Sequence, residues 1–195
     1  MGKCQNKAAE FTLTQDEITR LIDAAGSLRN RVLVEVLART GIRREEAVNL
    51  DIEDVDASRL RLVVRAGKGD KARIVPITPH VAESVRALAG RRRTGALFLS
   101  THGKAQRLDV RAVNYILADA GKRAEITSPN PKRVNVNPHL LRHSFARFYL
   151  SQGGDLRKVS QILGHESVEI THRIYGTASE EEVADEYADI MGKLR

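Results

Sequence analysis

The chain has 195 residues, enough for one compact domain, and its 42% hydrophobic and 29% charged residues are typical of a globular protein without a membrane span. The net charge of +7 and pI of about 9.8 favour a polyanionic partner, nucleic acid first, whereas 4% aromatic residues without tryptophan argue against a base-stacking platform for single strands. The chain has one cysteine, Cys4, which excludes an internal disulfide and a zinc ion held by several cysteines. Residues Met1–Asn6 lack the apolar core of a signal peptide, so we expect a cytoplasmic location.

The first fifty residues predict a polar tail followed by three helices. Residues Met1–Glu10 are polar, and we expect them to be disordered. Thr14 and Glu17 form a capping-box pattern, after which apolar residues recur at helical spacing. A second helix is predicted over Leu28–Thr40, where a glycine follows, and a shorter third helix over Arg44–Leu50.

The next segment changes to runs that are rich in β-branched residues. Leu60–Arg65 and Ala72–Ile77 flank a Gly-Lys-Gly-Asp turn, which predicts an antiparallel hairpin with Lys68 at its tip. Asp51–Val55 is predicted as the third strand. Leu97–Leu99 is short and apolar, so a strand and an extended link are both open.

The rest of the chain predicts helices, interrupted by a loop rich in proline and asparagine at Ser128–Asn137. The predicted helices are Pro79–Ala89, Asp109–Arg123, Pro138–Ser151, Asp155–Leu163, Val168–Arg173 and Glu181–Leu194. The expected fold class is therefore α+β, mainly α-helical with a small three-stranded antiparallel sheet.

His139 and Arg142 form an H-x-x-R pair near the start of a predicted helix. If Asn137 caps this helix and Pro138 takes the first helical position, both side chains lie near its N-terminus and on one face. They can then converge, with free backbone N–H groups, on one phosphate. A capping histidine and a solvated arginine are the alternative.

Three further cations lie beside predicted breaks in secondary structure. The Arg43 guanidinium can donate two parallel hydrogen bonds to phosphate oxygens, and Glu46 can orient it; a surface ion pair is the alternative. Lys68 can donate a proton to a leaving alkoxide or be a solvated turn residue. His165 follows a helix-ending glycine and can donate to a phosphate oxygen or lie on the surface.

Tyr175 is the candidate nucleophile. A tyrosine hydroxyl ordinarily has a pKa of about 10, so nearby cations or a base must promote its ionisation. The alternative is a half-buried packing residue, a role that fits Tyr115, Tyr149 and Tyr187 better, since these three lie within predicted helices.

A metal site is not predicted. His139 and His143 have the i,i+4 spacing of zinc-binding helices, but no catalytic glutamate follows the first histidine. Arg142 on the same helix would also repel a cation. We therefore expect neither a metal nor another cofactor.

Taken in order, these motifs resemble the catalytic domain of the tyrosine recombinases, the phage integrase and Xer-type family. The matching text is T-G-I-R-R-E-E from Thr40, G-K-G-D-K-A-R-I-V-P from Gly67, H-L-L-R-H-S-F-A from His139 and L-G-H ending at His165. The resemblance implies a disordered tail at residues 1–10, a tyrosine recombinase catalytic domain over 11–179, and a C-terminal helix over 180–195. That helix packs either on its own domain or on a neighbouring protomer.

The resemblance also implies a mechanism. Tyr175 would attack a phosphate of duplex DNA and form a 3′-phosphotyrosyl bond, while Lys68 protonates the leaving 5′-hydroxyl. Arg43, Arg142 and His165 would stabilise the pentacoordinate phosphate. Because the bond energy stays in the phosphotyrosine, the family's reaction needs neither ATP nor a metal.

The remaining expectations concern supporting residues and partners. His139 would assist proton transfer at the tyrosine, and Glu46 and His143 would support the site. The predicted DNA-binding residues are Arg44, Lys71, Arg73, Lys132 and Arg133. The expected partners are double-stranded DNA and further copies of the chain, as a dimer to tetramer on DNA, with a monomer in the free state left open. A type IB topoisomerase and a catalytically silent DNA-binding module are the alternative functions.

The chain departs from the family pattern around the tyrosine. The stretch from His165 to Tyr175 is one residue longer than expected, and Gly176 follows where a bulkier residue is usual. The family usually also has a helical DNA-clamping domain before this one, whereas only Met1–Glu10 precede the match here. A fragment and a minimal enzyme are both compatible with that pattern.

Overall fold

The computed structural model describes residues 11–65, 72–101, 106–130 and 134–164, and these ranges form a layer of helices against a small sheet. The helices are α1 (Gln15–Ala24), α2 (Leu28–Thr40), α3 (Arg44–Val48), α4 (Pro79–Ala89), α5 (Val110–Arg123), α6 (Pro138–Ser151) and α7 (Leu156–Leu163). The strands are β1 (Val55–Asp56), β2 (Arg61–Val64) and β3 (Arg73–Pro76). The predicted combination of many helices with one three-stranded antiparallel sheet is confirmed.

Helix α2 lies at the centre of the helical layer. Ser27 caps its start by accepting a hydrogen bond from the Asn30 N–H, and Gly41 ends it in the left-handed conformation with φ of 65°. The helix packs against α1, α4 and α6, and most of its second half is buried. Because α2 is packed on several sides, the position of its C-terminus is fixed, and Arg43 follows three residues after that end.

The sheet has the order β1-β2-β3 with antiparallel pairing throughout. Leu62 lies opposite Val75, and Val64 lies opposite Arg73. Leu62, Val64 and Val75 are buried, whereas Ile74 is exposed. Since side chains alternate along a strand, Arg73 points to the same buried face as Val75.

Two predicted boundaries were wrong. Asp51–Val55 is not a strand: Ile52–Asp54 forms a 3₁₀ helix, and β1 begins only at Val55. The Asp51 N–H donates to the Asp54 carboxylate at 2.8 Å, which holds a turn in place of an extended segment. Helix α3 ends at Val48, two residues before the predicted end, because the Leu50 carbonyl accepts from the Leu97 N–H and not from a following helical turn.

Other predicted elements agree with the structure or fall beyond its described ranges. The bounds predicted for α2, α4 and α6 are those observed, and the capping box of α1 is present. Leu97–Leu99 does not form a strand: Leu97 and Phe98 lie in a bend between two isolated bridges, one at Ala96 and one at Leu99. The predicted tail, the hairpin tip and the helices after Gly164 lie outside the described residues. Within the described ranges, no helix is long and apolar enough to cross a membrane.

Candidate active site

Arg142 lies in the second turn of α6 and joins the ends of two other helices. Asn137 caps α6 by accepting from the Leu140 N–H at 3.2 Å, as predicted. The Arg142 residue is only 8% exposed. Its two terminal nitrogens donate to the carbonyls of Gly41 and Leu163, each at 2.7 Å. The end of α2 and the end of α7 are thus held together by one buried guanidinium.

Arg43 approaches the same helix end from α3. Its backbone N–H donates to Glu46 Oε2 at 2.7 Å, and its Nη1 lies 3.3 Å from Glu46 Oε1, so the ion pair predicted from the spacing is present. Its Nη2 donates to the Gly164 carbonyl at 3.3 Å. Because Arg142 binds the adjacent Leu163 carbonyl, the two guanidiniums meet at the C-terminus of α7.

Glycine is required at both helix ends where these carbonyls lie. Gly41 has φ of 65° and Gly164 has φ of 68°, the left-handed region that side chains with a Cβ avoid. A Cβ on Gly41 would lie 2.5 Å from a Phe145 ring carbon, and one on Gly164 would lie 2.8 Å from the Arg73 guanidinium. The last carbonyls of a helix lack intrahelical partners and carry partial negative charge, so arginines are favoured there.

Arg73, which we predicted as a DNA contact, lies largely inside the protein. Its side chain is 11% exposed, and its Nη1 and Nη2 donate to the two oxygens of Glu46 at 2.7 and 2.9 Å. Its Nε donates to the Ile162 carbonyl at 2.7 Å. Each of the three nitrogens therefore donates a hydrogen bond inside the protein.

Glu46 is held as an anion by its neighbours. Burial works to raise the pKa of its carboxyl, but the hydrogen bonds from the Arg73 guanidinium and the Arg43 N–H, together with the positive charges of both arginines, lower this pKa below its ordinary value. A buried carboxylate between two arginines is thus part of the site's charge balance.

The two histidines of α6 lie beside an open cleft of about 450 Å³. His139 is exposed, whereas His143 is half-buried. The residues that line the cleft are Phe11, Ser128, Asn130, Asn137, His139, Leu140 and His143. Burial lowers the pKa of His143, and electrostatic interactions with His139 and Arg142 lower it further, so His143 favours the neutral form.

Arg44 and Glu45 are the first two residues of α3, which packs against α5. Arg44 donates to Glu45 at 2.7 Å and to the Asn114 side chain at 3.2 Å, while remaining partly exposed. Burial works to raise the pKa of Glu45, but its hydrogen bond with Arg44 and the charges of Arg44 and His139 lower it. A DNA contact by Arg44 stays a prediction.

The structure therefore brings Arg43, Glu46 and Arg142 together and describes only part of the expected set. Lys68, Lys71, Lys132, Arg133, His165 and Tyr175 lie outside the described residues, so their roles stay predictions. Tyr115, expected to pack within a helix, is instead 76% exposed on α5. Among the described residues, no group of three His, Cys, Asp or Glu side chains could hold a metal ion.

Sequence reasoning missed the backbone acceptors that organise the site. The carbonyls of Gly41, Leu163 and Gly164 receive the two arginines, yet backbone atoms leave no residue-type signal. The available clue was the pair of helix-ending glycines, because a left-handed glycine exposes the last carbonyls of a helix to a cation.

Comparison with known proteins identifies sequence relatives of this chain. The sequence model of the phage integrase family matches residues 12–182. The chain is 40% identical over 178 residues to the tyrosine recombinase XerD of Mycobacterium tuberculosis, covering 82% of this chain and 54% of the relative.

Two solved structures have the same fold. A XerA recombinase superposes with a TM-score of 0.73 at 36% identity, over 94% of this chain and 65% of that one. The catalytic domain of the bacteriophage HP1 integrase does so with a TM-score of 0.61 at 26% identity, over 94% and 98% of the two chains. The chain thus spans about half to two thirds of the Xer recombinases that it matches, and nearly all of the isolated catalytic domain.

Proposed function

Because this chain belongs to the phage integrase family, we propose that it is the catalytic domain of a site-specific DNA recombinase. It cleaves and rejoins duplex DNA through a 3′-phosphotyrosyl intermediate. The observation that carries this proposal is the meeting of Arg43 and Arg142 at the C-terminus of α7. Two guanidiniums from separate helices are placed there by backbone carbonyls before any substrate binds.

The two arginines suit a phosphate whose negative charge grows during reaction. In the transition state the phosphorus has five oxygen neighbours, and fixed guanidinium donors stabilise the charge on its non-bridging oxygens. His165 follows Gly164 directly in the sequence and would add a third donor. Loss of one such donor is expected to lower the cleavage rate by roughly 10²–10³-fold.

The covalent step uses three further residues. The Tyr175 oxygen forms a bond to phosphorus as the bond from phosphorus to the 5′ oxygen breaks. The tyrosine proton passes to His139, and Lys68 gives a proton to the departing 5′ oxygen. Attack by a 5′-hydroxyl of another strand reverses these steps, so neither ATP nor a metal takes part.

The proposed partners are duplex DNA and further copies of the chain. The net charge of +7 supports a polyanionic partner, and the resemblance to Xer recombinases supports duplex DNA. Arg44, Lys71, Lys132 and Arg133 are the proposed DNA contacts. We place the protein in the cytoplasm and expect a dimer to tetramer on DNA, with His143 and Glu46 supporting the catalytic set.

The test is covalent capture on a nicked suicide duplex that carries a candidate recombination site. After cleavage the short strand end diffuses away, so a protein–DNA adduct accumulates and can be resolved on a denaturing gel. Tyr175→Phe should abolish the adduct. Tyr115→Phe is the matched control, since it removes the hydroxyl of a tyrosine that is exposed on α5, and it should leave the adduct intact.

The outcomes separate the alternative functions. Loss of the adduct in Tyr175→Phe but not in Tyr115→Phe supports the recombinase. Loss of the adduct in Tyr115→Phe would show that Tyr175 had been wrongly assigned as the nucleophile. DNA binding without an adduct on any candidate site would indicate a catalytically silent module. Relaxation of a supercoiled plasmid that lacks the site would indicate a topoisomerase.

A further inference from the structure

Arg65 directly follows β2 and precedes Lys68 by three positions in the sequence. Its side chain reaches back to the residues that follow α3, where Nη2 donates to the Asn49 carbonyl at 2.7 Å and to Asp51 Oδ2 at 2.6 Å. The same nitrogen lies 2.8 Å from Asp54 Oδ2. One guanidinium nitrogen thus joins the end of β2 to the segment after α3.

The Asp51 carboxylate that receives Arg65 is itself held in place. Its other oxygen, Oδ1, accepts from Arg107 Nη2 at 2.5 Å. Arg107 Nη1 donates in turn to the carbonyls of Val48 and Leu50 at 2.8 and 3.0 Å. The hydrogen bond from Arg107 and, after it, the one from Arg65 lower the pKa of Asp51. The carboxylate therefore stays ionised at neutral pH and holds Arg65 by opposite charge.

The opposite strand of the hairpin is joined to the same helix. β3 begins at Arg73, whose guanidinium donates to both oxygens of Glu46 in α3. In the antiparallel pairing, Arg73 lies opposite Val64, the residue before Arg65. Both strands are therefore joined by arginines to α3 or to the residues that follow it, and α3 begins next to Arg43.

These attachments limit where Lys68 can lie. A chain advances at most about 3.6 Å per residue, so the Lys68 Cα lies within roughly 11 Å of the Arg65 Cα. We infer that Arg65 is a positioning residue for the proposed cleavage: through Asp51 it fixes the base of the hairpin from which Lys68 protonates the leaving 5′ oxygen. This inference rests on the proposed function, in which Lys68 is the general acid.

Loss of Arg65 should change the position of the hairpin more than the stability of the fold. The Arg65 side chain is 53% exposed, so its ion pairs are screened by water and contribute little to stability. In Arg65→Met we expect the rate of adduct formation at saturating duplex to fall by up to about 10²-fold, the scale of a group misplaced by about 1 Å. Because these contacts are all made by Nη2, the single amine of Arg65→Lys should recover part of the rate.

A change of leaving group tests whether the loss acts through Lys68. In a duplex with sulfur in place of the scissile 5′ oxygen, the Tyr175 oxygen bonds to phosphorus, the phosphorus–sulfur bond breaks, and sulfur leaves with the bonding electron pair. A thiol ordinarily has a pKa of about 8.5, far below that of an alcohol, so the thiolate leaves without a proton from a general acid. Arg65→Met and Lys68→Ala should therefore cleave this duplex about as fast as the parent chain. Arg142→Ala, which removes a proposed phosphate contact, should stay slow.

Arg61→Met is the matched control. Arg61 lies at the other end of β2, pairs with Asp56 at 3.1 Å and has a side chain that is 37% exposed. Its removal makes the same change in net charge but leaves the attachment to Asp51 intact, so both duplexes should be cleaved at the parent rate. All variants are compared at a temperature where circular dichroism shows them folded.

Two results with these duplexes would overturn the inference. One is a loss in Arg65→Met that is equally large on the oxygen and the sulfur duplex, since the role would then not act through protonation of the leaving group. The other is a rate on the oxygen duplex no lower in Arg65→Met than in Arg61→Met.

A distance measurement keeps the inference separate from the proposed function. Absence of an adduct with the parent chain on either duplex would refute the proposed function, and the attachment is then judged on the free protein. Spin labels at Lys68→Cys and at Arg111→Cys, an exposed position on α5, in a chain with Cys4→Ser, report the separation of these two sites by electron paramagnetic resonance. Arg65→Met should broaden or shift the distance distribution, and Arg61→Met should not. A distribution unchanged by Arg65→Met would refute the role assigned to Arg65.

Discussion

Replacement of Gly41 by alanine should destabilise the protein through two effects that the structure separates. With φ of 65°, an alanine at this position costs about 1–2 kcal/mol in the left-handed region. Its Cβ would also lie 2.5 Å from Phe145 Cδ1 and 2.8 Å from Leu163 Cδ2, well inside van der Waals contact. Overpacking of this kind costs roughly 1–3 kcal/mol, so we expect a total loss of about 2–5 kcal/mol.

Gly153→Ala is the matched control for this prediction. Gly153 also has positive φ, 79°, but nothing lies within 4 Å of the Cβ that alanine would add. It should therefore show only the backbone cost of about 1–2 kcal/mol. Urea unfolding of the two variants, followed by circular dichroism, measures the difference.

Gly41→Ala should also affect the candidate active site. The Gly41 carbonyl accepts from Arg142 at 2.7 Å, so a shift of this turn to relieve the contacts would displace the guanidinium. Gly41→Ala should slow adduct formation in conditions where the protein remains folded, and Gly153→Ala should not. Equal stability losses in the two variants would refute the reasoning, because the contacts with Phe145 and Leu163 would then contribute nothing.

Two further predictions concern stability. Ser144→Ala removes the acceptor of the Leu13 N–H, a buried bond of 2.8 Å, and should cost about 1–3 kcal/mol in urea unfolding, whereas Ser151→Ala at an exposed site should stay within about 0.5 kcal/mol. Glu46 has a lowered pKa in the folded protein, so its stabilisation is present above its unfolded pKa of 4.5 and is lost as the pH falls through the folded value. Thermal unfolding between neutral and acidic pH should show a smaller acid-induced loss in Glu46→Gln than in the parent chain; an identical loss would contradict the assigned pKa shift.

Local chemistry made most helices predictable. Asn137 followed by Pro138 marks the start of α6, and Gly41 marks the end of α2, because capping and left-handed glycine are properties of a few neighbouring residues. The strand predicted at Asp51–Val55 was wrong because Asp51 caps a 3₁₀ turn, its N–H donating to the Asp54 carboxylate. Arg65 and Arg107, which are distant in sequence, bind the Asp51 carboxylate from outside that turn.

The candidate site likewise has residues that the sequence predicted and one whose position depends on tertiary structure. The ordered motifs, through their resemblance to a known family, predicted that Arg43 and Arg142 bind phosphate and that Glu46 orients Arg43; the structure brings these three residues together, and phosphate binding itself stays a prediction. Arg73 had the same chemistry and was assigned to DNA, because only the pairing of β3 with β2 turns it inward onto Glu46.

The sequence by itself determined which side chains are available for phosphate chemistry and where most of the described helices begin and end. The tertiary structure decided which of the described cations are paired inside the protein and which remain partly exposed. The physical reason is that charge availability depends on distance and burial between residues far apart in the chain, as for Arg73 and Glu46, 27 positions apart. A motif specifies a guanidinium, but only the packing of α3, α7 and β3 determines what that guanidinium binds.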